Sequence, residues 1–135
     1  MGVFKDEAEV HQYLGAVFEK AMEDDALSDA LAASGVILRI HYTDPVSSVT
    51  VDMPSKKVLS GDTSLTPTVE LFMSADLGNQ FWLGKVNLPV AMAKGTVRAK
   101  GPVPKILKVI PVAKQLFPRY VEMLTDADRK DLLNA

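Results

Sequence analysis

The chain has 135 residues, 47% hydrophobic and 24% charged, with a net charge of −2. That length fits a single domain over residues 1 to 135, burying about two thirds of its unfolded surface in one core, and the composition is too apolar for a disordered chain. The absence of Cys removes disulfides, thiolate chemistry and Cys-based zinc sites together, and no apolar run approaches the ~18 residues needed to span a bilayer, so a soluble, cytoplasmic protein is expected.

The N-terminus MGVFKDEAEV is acidic and lacks a signal-peptide core. Val10, Leu14, Val17, Phe18 and Ala21 then recur at the spacing of one helical face, predicting a helix over residues 4 to 23 with an acidic opposite face. Asp24 and Asp25 interrupt it. Leu27, Ala30 and Leu31 predict a short second helix that stops before Gly35, which suits the left-handed turn after a helix end.

From Val36 the period changes to two. Val36, Leu38, Ile40 and Tyr42 alternate with Ile37, Arg39, His41 and Thr43, marking a strand with one apolar face, and Asp44-Pro45 makes the turn. A second strand carries Val49, Val51 and Met53, and a shorter one spans Lys57 to Ser60 before a turn at Gly61 and Asp62. These three read as an antiparallel meander. Residues 67 to 74 predict a fourth strand with Val69, Leu71 and Met73 on one side, and residues 95 to 101 a fifth. One or two short helices fall between them, near residues 75 to 84 and 87 to 94, the latter opening at Pro89.

The segment from Pro102 to Met123 is helix-like but contains Pro104, Pro111 and Pro118. A proline inside a helix costs about 3 kcal/mol, which predicts two short helices meeting near Pro111, able to move against the sheet. Thr125 and Asp128 match a capping box and predict a last helical piece ending at Asn134.

Charge is distributed unevenly. Residues 1 to 76 hold thirteen acids against five bases, whereas Leu77 to Val121 holds eight bases and no acid. Interleaved with Ile106, Leu107, Val109, Ile110, Val112, Leu116 and Phe117, those bases form either an ordinary amphipathic helix or a surface suited to anionic lipid or an amphipathic ligand. Nucleic acid is not expected as a partner, because apolar residues heavily outnumber the aromatics Phe81, Trp82, Phe117 and Tyr120.

No catalytic constellation emerges. No motif links His11 and His41, and the acids of residues 6 to 29 fall on a helix face without calcium-loop spacing. Gly78, Gly84 and Lys85 lack phosphate-loop spacing, and Val86 stands where Ser or Thr should be. No metal site, no cofactor and no catalytic residue is expected, which argues against an enzyme; an enzyme with an apolar pocket and one acid such as Asp76 is the remote alternative.

The order of two helices, a three-strand meander, a strand, a Trp-containing helix and then Lys94-Gly95-Thr96-Val97-Arg98-Ala99-Lys100-Gly101 resembles the sterol carrier protein 2 (SCP-2) family of lipid-binding domains. Val69 to Ser74, Asp76 to Leu83 and Gly95 to Gly101 occupy the places of that family's strand, helix and basic strand between glycines. The resemblance implies an α+β fold: a five-stranded, mostly antiparallel sheet with helices on one face enclosing an apolar tunnel. It further implies non-enzymatic binding and intracellular transfer of a hydrophobic ligand (a fatty acyl derivative, sterol-like compound or other lipid). The alternative is an accessory module docking a partner enzyme or an isoprenoid-quinone pathway component.

On that reading the lining is expected from Leu71, Met73, Phe81, Trp82, Val90, Met92, Ile106, Leu107, Ile110, Leu116 and Phe117. Lys105, Lys108, Lys114 and Arg119 are expected to meet a lipid head group or, transiently, an anionic membrane. Two departures stand out. The terminal Leu-Leu-Asn-Ala lacks a peroxisomal address, and the prolines from Pro102 to Pro118 interrupt what the family pattern would make a smoother apolar helix. A dry cavity of a few hundred Å³ would cost several kcal/mol at about 24 cal/mol per Å³, so the site is expected to be partly collapsed, wet or occupied.

Overall fold

The computed structural model describes residues 2–61 and 63–135; Asp62, read above as part of a turn, lies outside them. Asp6 opens the first helical segment, its carboxylate accepting from Glu9 N at 3.0 Å. Helix α1 (Glu7–Val10) passes through a π-helical turn (His11–Gly15) into α2 (Ala16–Glu23). Val10, Leu14, Val17 and Ala21 are wholly buried along this run. Asp24 then caps α3 (Asp25–Ala33) by accepting from Leu27 N at 3.0 Å, and Gly35 takes the left-handed conformation expected of it, with φ +69°.

Strands β1 (Ile37–Thr43), β2 (Ser47–Asp52) and β3 (Lys57–Ser60) form the antiparallel meander. After β3 the chain returns to place β4 (Val69–Ser74) parallel to β1, and β5 (Arg98–Lys100) closes the sheet antiparallel to β4, giving the order β3-β2-β1-β4-β5. Three of the four pairings are antiparallel. Register sets the site. Ile40 stands opposite Val49 on one side and Leu71 on the other, and Tyr42 opposite Met73, so one face presents Leu38, Ile40, Tyr42, Val49, Val51, Leu71 and Met73, all buried. The opposite face carries Arg39, His41, Glu70 and Phe72. There His41 stacks on Phe72 at 4.6 Å and lies 2.9 Å from the Glu70 carboxylate.

Ser74 ends β4 and starts α4 (Ala75–Trp82), its hydroxyl accepting from Leu77 N at 3.1 Å. Helix α5 (Leu88–Lys94) is capped by Asn87, takes Pro89 in its first turn and ends at left-handed Gly95. Helices α6 (Val103–Lys114), α7 (Phe117–Asp126) and α8 (Lys130–Leu133) complete the chain.

Two expectations for this last segment are corrected. The helix does not break at Pro111, which lies inside α6; the interruption falls at Gln115–Leu116, and Pro118 sits in the first turn of α7. Pro111 is tolerated because the bond it forfeits is to the carbonyl of Leu107, and both residues are exposed, where water can serve the orphaned oxygen. Thr125 caps nothing: it lies within α7, its hydroxyl donating to the Val121 carbonyl at 2.8 Å. α7 continues to Asp126 because Tyr120 and Leu124 bury completely.

Polar pins hold the shell of helices to this sheet. Asn79 of α4, wholly buried, donates to the Leu132 carbonyl at 3.0 Å and accepts from the Tyr120 hydroxyl at 2.6 Å, tying together α4, α7 and α8. Arg129 forks onto Asp131, reaches Glu9 at 3.0 Å and lies over the Tyr13 ring, fastening the chain's end to its first helix.

Between β5 and α6, Gly101 has φ +100°, and a Cβ there would lie 2.4 Å from the Thr68 carbonyl oxygen. Gly101→Ala is expected to lower unfolding free energy by about 2 kcal/mol or more, combining backbone strain with a contact against rigid main chain; urea denaturation measures it.

Candidate functional site

The helices do not fill the space over the sheet completely. Under α6 lies a cavity of about 50 Å³, floored by Leu38, Ile40, Tyr42, Leu71 and Met73, walled by Phe18, Met53, Gly78, Phe81, Trp82 and Leu88, and roofed by Ile106, Val109, Ile110 and Ala113. At about 24 cal/mol per Å³ such a void costs on the order of 1 kcal/mol, which a small domain tolerates.

Outside it, between the α4–α5 connection and α6–α7, opens a groove of about 580 Å³ lined by Lys85, Val86, Pro89, Leu107, Pro111, Lys114 and Phe117 among others. Phe81, Leu88 and Ile110 line both spaces. Three side chains therefore belong both to an apolar cavity and to a basic-edged vestibule.

The wall at this end is aromatic. The Trp82 ring meets those of Phe18, Phe81 and Phe117 edge-on at 5.3, 5.1 and 6.0 Å, and Phe81 meets Phe117 at 5.4 Å, contacts worth about 0.5–1.5 kcal/mol each beyond their burial. Gly78 lets α4 approach the floor, since a Cβ there would lie 2.8 Å from the Tyr42 ring. The roof is built differently. α6 turns Ile106, Val109, Ile110 and Ala113 inward by helical periodicity and leaves Lys105, Leu107, Lys108, Pro111 and Lys114 exposed.

Of the residues singled out from sequence, Leu71, Met73, Phe81, Trp82, Ile106 and Ile110 line the cavity, and Phe81, Leu107, Ile110 and Phe117 line the groove. Leu116 is buried in the core away from both, Met92 lines a shallow depression beside β5, and Val90 is 45% exposed. Among the basic residues Lys114 edges the groove, Lys105 and Lys108 line neither space, and Arg119 donates to Asp24 at 2.8 Å. Leu38, Ile40, Tyr42, Met53, Phe18, Gly78, Leu88, Val109 and Ala113 also line the cavity and were not singled out, although the alternation of the first two strands could have yielded the first four. Asp76 accepts from Val3 N at 2.9 Å, and His11 bonds the Ser48 carbonyl at 3.2 Å. Among the described residues no group of three His, Cys, Asp or Glu could hold a metal ion, and no helix is long and apolar enough to cross a membrane.

No protein-family model matches the chain, and no curated protein matches it in sequence. Solved structures do match its fold. The sterol carrier protein domain 2 of Helicoverpa armigera superposes with a TM-score of 0.66 at 17% identity, covering 81% of this chain and 88% of that one. A UbiJ-SCP2 ubiquinone synthesis protein gives 0.55 at 14% identity, covering 82% and 86%. Sterol carrier protein-2 of Aedes aegypti, solved in complex with the C16 fatty acid palmitate, gives 0.50 at 17% identity, covering 66% and 92%. In fold, the chain is an SCP2-like domain.

Burial pushes the hydroxyls of Tyr42 and Tyr120 well above the usual tyrosine value of 10, and nearby Tyr42 adds to the effect at Tyr120. The folded state thus keeps protons that the unfolded chain releases above pH 10. Their contribution to stability is complete below that pH and is lost as pH rises beyond it, by up to about 1.4 kcal/mol per pH unit for each tyrosine. Tyr120→Phe is expected to flatten that alkaline decline, while costing about 1–3 kcal/mol at neutral pH by stripping Asn79 Oδ1 of its donor. Urea midpoints of both proteins from neutral pH to pH 11 measure the two effects.

Proposed function

We propose that this domain binds one hydrophobic small molecule, a fatty acyl derivative, sterol-like compound or other lipid, between the sheet and α6, and carries it without covalent chemistry. The observation that carries the reading is the apolar cavity sharing Phe81, Leu88 and Ile110 with a basic-edged groove. An acyl chain entering from the groove would widen the cavity by displacing those three side chains and lifting α6, whose hydrogen-bond ladder is already interrupted at Pro111. Met53 and Met73 in the floor and wall adapt to chains of different shape. Burial returns about 0.8 kcal/mol per methylene before ordering costs, enough for micromolar affinity from the chain alone. Lys114 would meet the polar end left in the groove; Lys85, which also lines it, already donates to the Ala135 oxygen at 2.8 Å. The palmitate complex of the Aedes aegypti neighbour supports a ligand of this class.

A second reading, an accessory module that docks a partner enzyme of isoprenoid-quinone chemistry, draws on the ubiquinone-synthesis neighbour alone. Native mass spectrometry of freshly purified protein, with organic extraction, separates the two: a lipid at one-to-one stoichiometry is expected, and an empty protein whose Trp82 emission ignores added fatty acid would favour docking. Ala113→Phe, which fills the cavity from the roof, is expected to weaken fatty-acid binding about tenfold or more, equivalent to about 1.4 kcal/mol, while leaving the thermal midpoint within a few degrees; fluorescence titration and thermal melting measure both.

A further inference from the structure

Of the side chains that line the cavity under α6, only those of Tyr42 and Trp82 contain nitrogen or oxygen, and each residue is 2% exposed. Elsewhere in the core such groups are engaged: the Tyr120 hydroxyl donates to Asn79, and that of Tyr13 accepts from Gln12. Among the described residues no hydrogen bond reaches the Tyr42 hydroxyl or the Trp82 indole N–H. Burial alone raises the Tyr42 pKa, with no hydrogen bond contributing. Every side-chain nitrogen or oxygen sealed from free space does have a partner among those residues. The two unbonded groups therefore touch free space, and the space that both residues line is the cavity. They belong to adjoining parts of it, because Gly78 lies against the Tyr42 ring and Trp82 follows Gly78 by one turn of α4.

We propose that Tyr42 and Trp82 select a ligand whose buried part carries a neutral carbonyl oxygen, as a ketone or an ester does, with the Tyr42 hydroxyl donating to that oxygen and the Trp82 N–H as second donor. Two donors call for an acceptor, and a carbonyl oxygen offers two lone pairs and no proton of its own. A carboxylate does not suit the place. None of the lining residues is cationic, and an ionised group there would lose its water without gaining a counter-charge. Burial keeps the Tyr42 phenol protonated, and hence a donor, across the neutral range. Apolar contact alone discriminates weakly between ligands, whereas a site with hydrogen-bonding groups to satisfy rejects an analogue that leaves them unpaired. The inference rests on the ligand-binding reading above and adds to it the chemistry of the ligand that fits.

The test compares methyl undecyl ketone, isotopically labelled at its carbonyl, with tridecane, an alkane of the same length, on the full chain and on Tyr42→Phe. Both compounds are expected to displace a fluorescent fatty acid. Tyr42→Phe should weaken the ketone about fivefold and leave the alkane unchanged. Because the hydroxyl has no protein partner to lose, the thermal midpoint of the variant should match that of the parent. In the infrared, the C=O stretch of the bound ketone should lie lower in the parent than in Tyr42→Phe. Trp82 is the only tryptophan, so its indole N–H gives one proton resonance, which should move downfield with the ketone and not with tridecane. Equal loss of both compounds in Tyr42→Phe, or a carbonyl stretch that the substitution does not move, would overturn the role of Tyr42 and leave the ligand-binding reading standing. An indole resonance that treats the two compounds alike would overturn that of Trp82. Displacement by neither compound would overturn the ligand-binding reading and this inference with it.

Discussion

Everything in this domain depends on covering one face of a sheet whose centre is β1 paired parallel to β4. That pairing puts Leu38, Ile40 and Tyr42 beside Val69, Leu71 and Met73, a broad apolar floor that must leave water for the chain to fold. The cover consists of short helices in place of one long one, because Asp24, Gly35, Gly95 and the turn at Gln115–Leu116 stop them in turn. Short helices are fixed where buried polar groups or ion pairs pin them, at Asn79–Tyr120–Leu132 and at Arg129. Over Leu71 and Met73 the cover is α6, which closes by apolar contact and carries an internal proline. The cavity lies under the part of the cover that has no such pin.

The same division separates rigid from yielding walls. α4 is held close to β1 by Gly78 and anchored by Asn79, so Trp82 forms a fixed end to the site. Phe81, Leu88 and Ile110 line both cavity and groove, and the helix bearing Ile110 contributes little else to the core beyond Ile106 and Val109. A cavity of about 50 Å³ costs little while empty, and on the proposed reading a bound apolar chain would offset its enlargement.

Much of this was legible in the sequence, and the parts that were not share a cause. The alternation from Val36 to Tyr42 and from Val49 to Met53 specified two strands and their apolar face, because period two has no competing explanation over that length. Gly35 acted locally, as a helix-end glycine does, whereas the caps at Asp24, Ser74 and Asn87 and the helix end at Gly95 were not read. Pro111 was misjudged because its penalty depends on whether Leu107 O meets water, and Thr125 because a capping-box pattern weighs little against the burial of Tyr120 and Leu124; both are tertiary facts. The cavity lining was only half legible for the same reason. Leu116 and Ile106 look alike in sequence, and only packing places one in solid core and the other against free space. The likeness to the sterol carrier protein 2 family was carried by element order and two glycines, a pattern that survives at identities of 14–18%, where side-chain identities no longer report ligand choice.

The central claim is that α6 lifts from the sheet to admit an apolar chain, and the most direct measurement is a methyl-resolved NMR titration with a long-chain fatty acid. Saturable one-to-one shifts are predicted at Met53, Met73, Ile106 and Ile110, with Ile37 and Leu59 on the far side of the sheet unmoved. Shifts confined to exposed methyls such as those of Val46 and Val121, or none at all, would contradict the account.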